Sequence, residues 1–294
     1  MNLALTVMNI TAPVFLLAAI GFVWVRVGFE YRVEFVTRLA MTLSVPCLIF
    51  MSLMKTEIDP QALATISLAS LAAYAIVMMV FFVIVKIGRL DTQTYLAPLI
   101  FGNTGNLGLP LALFAFGDVG LGYAVVVFAV MAMLSFTIGI WMVAGAGSFT
   151  RILKEPLVGA TLLGALFLWQ GWETPLFLSN TLDLIGQIAI PVMLITLGVA
   201  VARLETKAIG QAIVLSVAKV AICVAAAYGA AIYFSLEPVA AGVLIVQVAT
   251  PVAVTSYLLA EKYGADAKPV AGLVVVSTLL SVVTLPLILS FVIA

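Results

Sequence analysis

The residues best suited to bind a solute lie in a polar interruption at positions 102–110, Gly-Asn-Thr-Gly-Asn-Leu-Gly-Leu-Pro. The side-chain amides of Asn103 and Asn106 donate and accept hydrogen bonds, as a site for a polar solute or an ion requires. The same segment contains four residues that serve backbone geometry: Gly102, Gly105, Gly108 and Pro110. They disfavour a continuous helix and free backbone groups that need new partners. The asparagines either contact a solute, which we favour, or only satisfy those freed groups.

A second interruption, Gln-Val-Ala-Thr-Pro at positions 247–251, matches the first. Gln247 corresponds to Asn106 and Pro251 to Pro110, so we count Gln247 among the solute-binding residues. We expect each proline in the first turn of a restarted helix and Thr250 as its N-cap and a further solute contact. Two helix N-termini would then favour an anionic group, and the two helices that end at the breaks would offer carbonyls to a cation.

Lys219 lies inside an apolar segment, where an unpaired charge costs about 2.5–3.5 kcal/mol. Its side chain is too short to reach the membrane surface from there. No carboxylate occurs at a similar depth, so its partners are carbonyls, amides or the solute. We favour a fixed cation that pairs with a substrate carboxylate or replaces a coupling ion. The alternative is a structural lysine that caps half-helix carbonyls.

The composition places these residues in a membrane. The 294-residue chain is 65% hydrophobic and 9% charged, against roughly 25% charged in soluble domains. The net charge is zero, and the absence of a basic tract argues against nucleic acid as a partner. With no histidine and no carboxylate at mid-depth, we expect no catalytic set, no metal site and no cofactor.

Turn and charge signals predict an all-helical, multi-pass protein with ten membrane-spanning segments. They cover 5–26, 34–54, 62–86, 94–116, 120–144, 156–172, 177–201, 209–234, 238–260 and 269–292. Eleven of the 13 basic residues lie in the odd-numbered connections, including Arg151, Lys154 and Lys207. We therefore expect those connections in the cytoplasm and both termini on the outer side of the cell membrane. We expect this membrane to be a bacterial inner membrane. The longest internal linker is 145–155.

The two halves of the chain repeat each other. Pro191 follows Pro46 by 145 residues, and Pro251 follows Pro110 by 141 residues. A unit of five spans crosses an odd number of times, so its second copy is inverted. We predict repeats at 1–147 and 148–294, with broken helices 4 and 9 crossing at their interface. Pro46 and Pro191 either kink two helices, which we favour, or line the solute path.

The ten spans and the pattern Asn103, Asn106, Gly108, Pro110 resemble the auxin efflux carrier family, whose prokaryotic members include proteins described as dicarboxylate transporters. The resemblance covers the whole chain and implies a fold similar to bile-acid/sodium symporters. It implies a scaffold of spans 1, 2, 6 and 7, a transport domain of spans 3–5 and 8–10, an elevator movement, and a homodimer through the scaffold. The long cytoplasmic loop of the plant carriers is absent after span 5.

The function that these features favour is secondary active transport or uniport of a small organic anion, such as an auxin- or malonate-like carboxylate, across the lipid bilayer. Two alternatives stay open: an ion or solute channel, and a sodium-coupled symporter of a neutral solute. Sodium coupling through neutral oxygens remains compatible with the sequence. An enzyme is disfavoured, because no nucleophile with a base and no metal site is present.

Overall fold

A computed structural model describes residues 3–55, 58–144, 156–204 and 209–293. These residues are helical apart from short connections, and an isolated bridge between Gly102 and Val252 is their only β pairing. The predicted linker 145–155, with Arg151 and Lys154, and Lys207 lie outside the described residues.

The helices follow in this order: α1 Leu3–Arg26, α2 Val33–Leu39, α3 Val45–Lys55, α4 Pro60–Ile87, α5 Thr92–Ile100, α6 Leu109–Leu134, α7 Ile140–Ala144, α8 Pro156–Gln170, α9 Leu176–Gln187, α10 Ala189–Arg203, α11 Ile209–Tyr233, α12 Pro238–Val248, α13 Val254–Tyr263 and α14 Ala267–Ile293. Three wider π-helical turns join or precede them, at Ala40–Ser44, Thr104–Gly108 and Ser135–Gly139.

Seven helical stretches of the described part are long and apolar enough to cross a membrane. They are Leu5–Arg26, Val33–Lys55, Gln61–Ile87, Thr104–Val143, Leu176–Arg203, Ile209–Tyr233 and Ala267–Ile293, with two shorter apolar helices, Gly159–Gln170 and Pro238–Val248. The prediction of an all-helical, multi-pass membrane protein is confirmed. Many large apolar side chains are exposed along these helices, as a surface in contact with lipid requires.

One of these stretches contains a sharp bend. A straight helix of 40 residues such as Thr104–Val143 would be about 60 Å long, twice the roughly 30 Å of a hydrocarbon core. Gly117 has φ 65° and ψ −158°, so the helix axis is broken there and two shorter pieces follow each other. Positive φ is accessible to glycine at little cost, which accounts for its use at this turn.

Capping residues fix several other helix ends. The Asp59 carboxylate accepts a hydrogen bond from the Gln61 amide at 3.2 Å, and the Asp91 carboxylate accepts one from the Thr94 amide at 2.8 Å. Gly264 ends α13 in the left-handed conformation, with φ 79°. Such caps commonly provide hydrogen-bond partners for the amides and carbonyls that are unpaired at helix ends. At these three ends the observed helices begin or end within three residues of the predicted limits 62, 94 and 260.

The helical path is interrupted close to both prolines singled out in the sequence. The π-helical turn Ala40–Ser44 comes directly before Pro46 in α3, and α9 and α10 are separated at Ile188, three residues before Pro191. Proline removes a backbone donor and crowds the preceding turn, so an irregular turn at this place is expected.

Helix packing divides the described chain into two sets. In one set α1 and α2 pack against α10, and α3 packs against α8 and α9. In the other, α6 packs against α12, and α11 packs against α4, α12 and α14. Glycine allows the closest approach within the first set. A Cβ atom added to Gly198 of α10 would overlap the Ala18 carbonyl of α1, and one on Gly21 would overlap the Ile195 carbonyl.

Gly198→Ala is expected to destabilise the protein by about 1–3 kcal/mol, because the added methyl group forces the backbones of α1 and α10 apart. The measurement is the melting temperature of detergent-purified protein, followed by size-exclusion chromatography after heating. Gly229→Ala is the matched control, since no atom lies within 4 Å of the added Cβ. It should be neutral or slightly stabilising. Equal melting temperatures for the two variants would contradict the close packing.

Candidate functional site

The first break begins where α5 ends, at Ile100. Phe101 is extended, with φ −90° and ψ 122°, and Asn103 has φ −83° and ψ 52°. The π-helical turn Thr104–Gly108 then leads into α6, with Pro110 in its first turn. The prediction for Pro110 is therefore confirmed.

The second break differs from the prediction. Helix α12 ends at Val248, and α13 begins only at Val254, with Ala253 as its N-cap. Pro251 is thus in the extended connection and not in a first helical turn. The prediction that Thr250 caps the restarted helix is also wrong. The Thr250 hydroxyl donates to the Gln247 carbonyl at 2.7 Å and so satisfies the end of the preceding helix.

The two breaks cross and satisfy each other. Gly102 and Val252 form an antiparallel bridge, and the Asn103 amide donates to the Pro251 carbonyl at 2.7 Å. The Val252 amide donates to the Ser277 hydroxyl of α14 at 3.0 Å. A Cβ atom on Gly102 would overlap the Thr250 hydroxyl, so only glycine permits this approach. Backbone groups freed by the breaks are thereby partnered away from water.

A cavity of about 150 Å³ lies against this crossing. Its polar lining comes from the first break, from α2, from the π-helical turn after α6 and from the start of α13: Thr37, Asn103, Asn106, Ser135 and Thr255. Its apolar lining includes Met41, Phe101, Phe128 and Met131. Gly102 and Gly105 also line it, whereas Gly108, Pro110, Lys219, Gln247, Thr250 and Pro251 are not among its lining residues.

The two asparagines differ in their surroundings. Asn103 is 5% exposed, and its side-chain nitrogen has no hydrogen-bond partner among the described residues. Asn106 is half-buried. The Asn103 side chain does not cap the turn that follows it. An unpaired buried amide costs free energy, and Asn103 leaves such a donor unused at the lining of the cavity.

Gln247 is not among the residues that line the cavity. It is completely buried, and both atoms of its amide lack partners among the described residues. Its side chain packs against Gly108, where an added Cβ atom would overlap it. Gln247 therefore fixes how closely α12 and the first break approach each other.

Lys219 is 1% exposed in the middle of α11. Its ammonium donates to the Leu99 carbonyl at 3.0 Å and to the Ile100 carbonyl at 3.4 Å. These are the last carbonyls of α5. The ammonium thus lies at the carbonyl end of the broken helix.

Sequence reasoning missed several residues around the crossing. Ser277 partners the second break, and Thr37 and Met41 close one side of the cavity from the first packing set. A polar serine within an apolar span was a usable signal for Ser277; nothing in the sequence marks Met41.

A larger cavity of about 450 Å³, lined by Lys55, Asp118 and Asp183, lies where α3 and α9 meet the Gly117 bend. Lys55 and Asp183 form an ion pair there.

Comparison with known proteins identifies related chains. The family described as "Membrane transport protein" matches residues 6–150 and 147–289. A Rhizobium meliloti protein named "Putative malonate transporter" is 25% identical over 260 residues, 82% of this chain and 81% of its own length. An uncharacterized transporter of Methanocaldococcus jannaschii is 27% identical over 63% of this chain and 64% of its own length. One of Methanothermobacter thermautotrophicus is 27% identical over 63% of each chain.

Gly108→Ala is expected to lower the melting temperature, because the added methyl group overlaps the Gln247 side chain. Gln247→Ala removes the atoms that the methyl group would overlap. The double variant Gly108→Ala/Gln247→Ala should therefore lose about 0.5–3 kcal/mol less free energy of unfolding than the sum of the two single variants. Gln187→Ala, an exposed glutamine on α9, is the control partner. If Gln187→Ala restores the melting temperature of Gly108→Ala as much as Gln247→Ala does, Gln247 does not fill the space beside Gly108.

Proposed function

Because the chain belongs to the auxin efflux carrier family of membrane transport proteins, we propose that it carries a small organic anion across the membrane by alternating access. The solute binds in the cavity at the crossing of the two breaks. The observation that carries this proposal is the convergence there of asparagine amides and a helix N-terminus without a side-chain cap.

The N-terminus of α13 supplies the favourable charge. Ala253, Val254 and Thr255 line the cavity, and Ala253 has no side chain that can accept from the first amides of the helix. The first four amides of a helix lack intrahelical partners and carry partial positive charge. A carboxylate in the cavity would accept from them, and the Asn103 and Asn106 amides would orient it.

The size of the cavity favours a small solute. Its volume of about 150 Å³ is below the roughly 300–1,000 Å³ of pockets for drug-sized ligands. This is sufficient for a short carboxylic acid. Malonate is the natural first probe, since one relative carries that substrate in its name.

The architecture that we propose has ten spans in two inverted repeats, 1–147 and 148–294. In this arrangement α1–α3 and α8–α10 form the scaffold, and α4–α7 and α11–α14 form the moving domain. This grouping is supported by the contacts among α1–α3 and α8–α10 and by those among α4, α6, α11, α12 and α14. Thr37 and Met41 come from the scaffold and the remaining lining from the moving domain, so an elevator movement would change access to the solute.

The orientation follows from the basic residues. With odd-numbered connections in the cytoplasm, the cavity beside Thr37 lies toward the cytoplasmic side of the cell membrane. The larger cavity beside Lys55 lies toward the outside, at the same boundary between the two domains. The two cavities therefore mark the two ends of the proposed solute path.

Asn106→Ala is expected to reduce uptake of radiolabelled malonate into proteoliposomes at least about tenfold, because a hydrogen bond to a charged group contributes about 1.5–3 kcal/mol. Asn103→Ala should behave similarly. Asn180→Ala, an exposed asparagine on α9, is the matched control and should leave uptake unchanged.

The same proteoliposomes are tested with a panel of mono- and dicarboxylates if malonate is not taken up. If the Asn103 and Asn106 variants both take up a transported carboxylate at the wild-type rate, the carboxylate does not bind at the crossing. Conductance far above carrier turnover in planar bilayers would instead indicate a channel.

A further inference from the structure

The charge of Lys219 has no acidic counterpart in the described structure. The ion pairs among the described residues are Arg32 with Glu30 and Lys55 with Asp183. The hydrogen bonds that its ammonium donates in the described structure go to carbonyl oxygens. A positive charge within an apolar span would therefore be compensated by groups other than carboxylates.

The carbonyls that bind Lys219 are available because of the break. In a continuous helix the Asn103 amide would donate to the Leu99 carbonyl, four residues earlier. Here that amide donates to the Pro251 carbonyl of the other break at 2.7 Å. The Leu99 carbonyl is left without its helical partner, at the end of α5 where the helix dipole is negative. Lys219 supplies the missing donors and the opposite charge.

The equivalent end of α12 is satisfied without a cation. There the Thr250 hydroxyl and the Thr250 amide both donate to the Gln247 carbonyl, at 2.7 and 3.3 Å. Tyr74, which precedes Lys219 by 145 residues, is fully buried and uncharged. The fixed cation thus belongs to the first break alone.

Free carbonyls at the C-terminal end of a broken helix are the groups with which secondary transporters bind a coupling cation. We propose that the Lys219 ammonium permanently occupies such a cation site, so that this protein assembles its crossing and transports its solute without sodium. The inference deepens the proposed function, because it concerns ion coupling at the same crossing. It predicts that a neutral residue at position 219 opens the carbonyls of Leu99 and Ile100 to sodium.

The test measures binding of radioactive sodium to purified protein in nanodiscs, together with the melting temperature in sodium or in choline. It needs no solute, so its result is independent of whether malonate is transported. The proteins compared are wild type, Lys219→Ala, Lys219→Gln and Lys219→Arg. Ser216→Ala is the control, since Ser216 is buried in the same helix and contributes to no described hydrogen bond.

Wild type, Lys219→Arg and Ser216→Ala are expected to bind no sodium and to melt at the same temperature in either salt. At least one neutral variant, Lys219→Ala or Lys219→Gln, should bind sodium saturably and melt higher in sodium than in choline. Saturable sodium binding by the wild type would overturn the proposal. The proposal would also be overturned if both neutral variants are folded but neither binds sodium nor melts higher in sodium than in choline.

Both neutral variants are expressed, solubilised and purified in sodium throughout. If neither can be recovered folded under these conditions, the proposal is also overturned, because no ion then substitutes for the ammonium and Lys219 has a purely structural role.

Discussion

A backbone amide or carbonyl in the interior of a membrane must have a partner, and the crossing of the two breaks depends on that constraint. Each break frees groups that a helix would satisfy internally. The Asn103 amide, the Val252 amide and the Leu99 carbonyl find partners in Pro251, Ser277 and Lys219. These partners come from three different helices or connections. The break is stable only when all of them are assembled around it.

The same constraint limits which side chains are tolerated at the crossing. The two breaks and the helix before the second one approach this closely only where no Cβ atom intervenes, as at Gly102 against Thr250 and at Gly108 against Gln247. Close approach fixes the positions of the asparagine amides and of the α13 N-terminus relative to one another. A preorganised group of donors binds an anion without the entropic cost of collecting them. In the function that we propose, the residues that hold the crossing together are therefore also those that bind the solute.

Much of this arrangement was predictable from the sequence, because its signals are local. Runs of apolar residues predicted the helices, glycine and proline marked the first break, and proline marked the second. The partners of the break residues were not predictable, since they depend on tertiary contacts. Thr250 followed by proline has the pattern of an N-cap, yet its hydroxyl satisfies the preceding helix. Pro251 stays extended because its carbonyl pairs with Asn103. Backbone carbonyls leave no signature in a sequence, so the ligands of Lys219 could only be stated as one alternative among several.

The most direct test of the central claim is a distance measurement between the solute and the asparagine side chains. The chain contains only five asparagines, of which Asn103 and Asn106 lie at the crossing. Solid-state NMR with carboxyl-labelled ¹³C malonate and asparagine labelled with ¹⁵N in the side chain would report whether the two labels lie within hydrogen-bonding distance. The account predicts strong dipolar dephasing that disappears in the variant Asn103→Asp/Asn106→Asp. Bound malonate without dephasing in the wild type would place the solute away from the crossing and contradict the account.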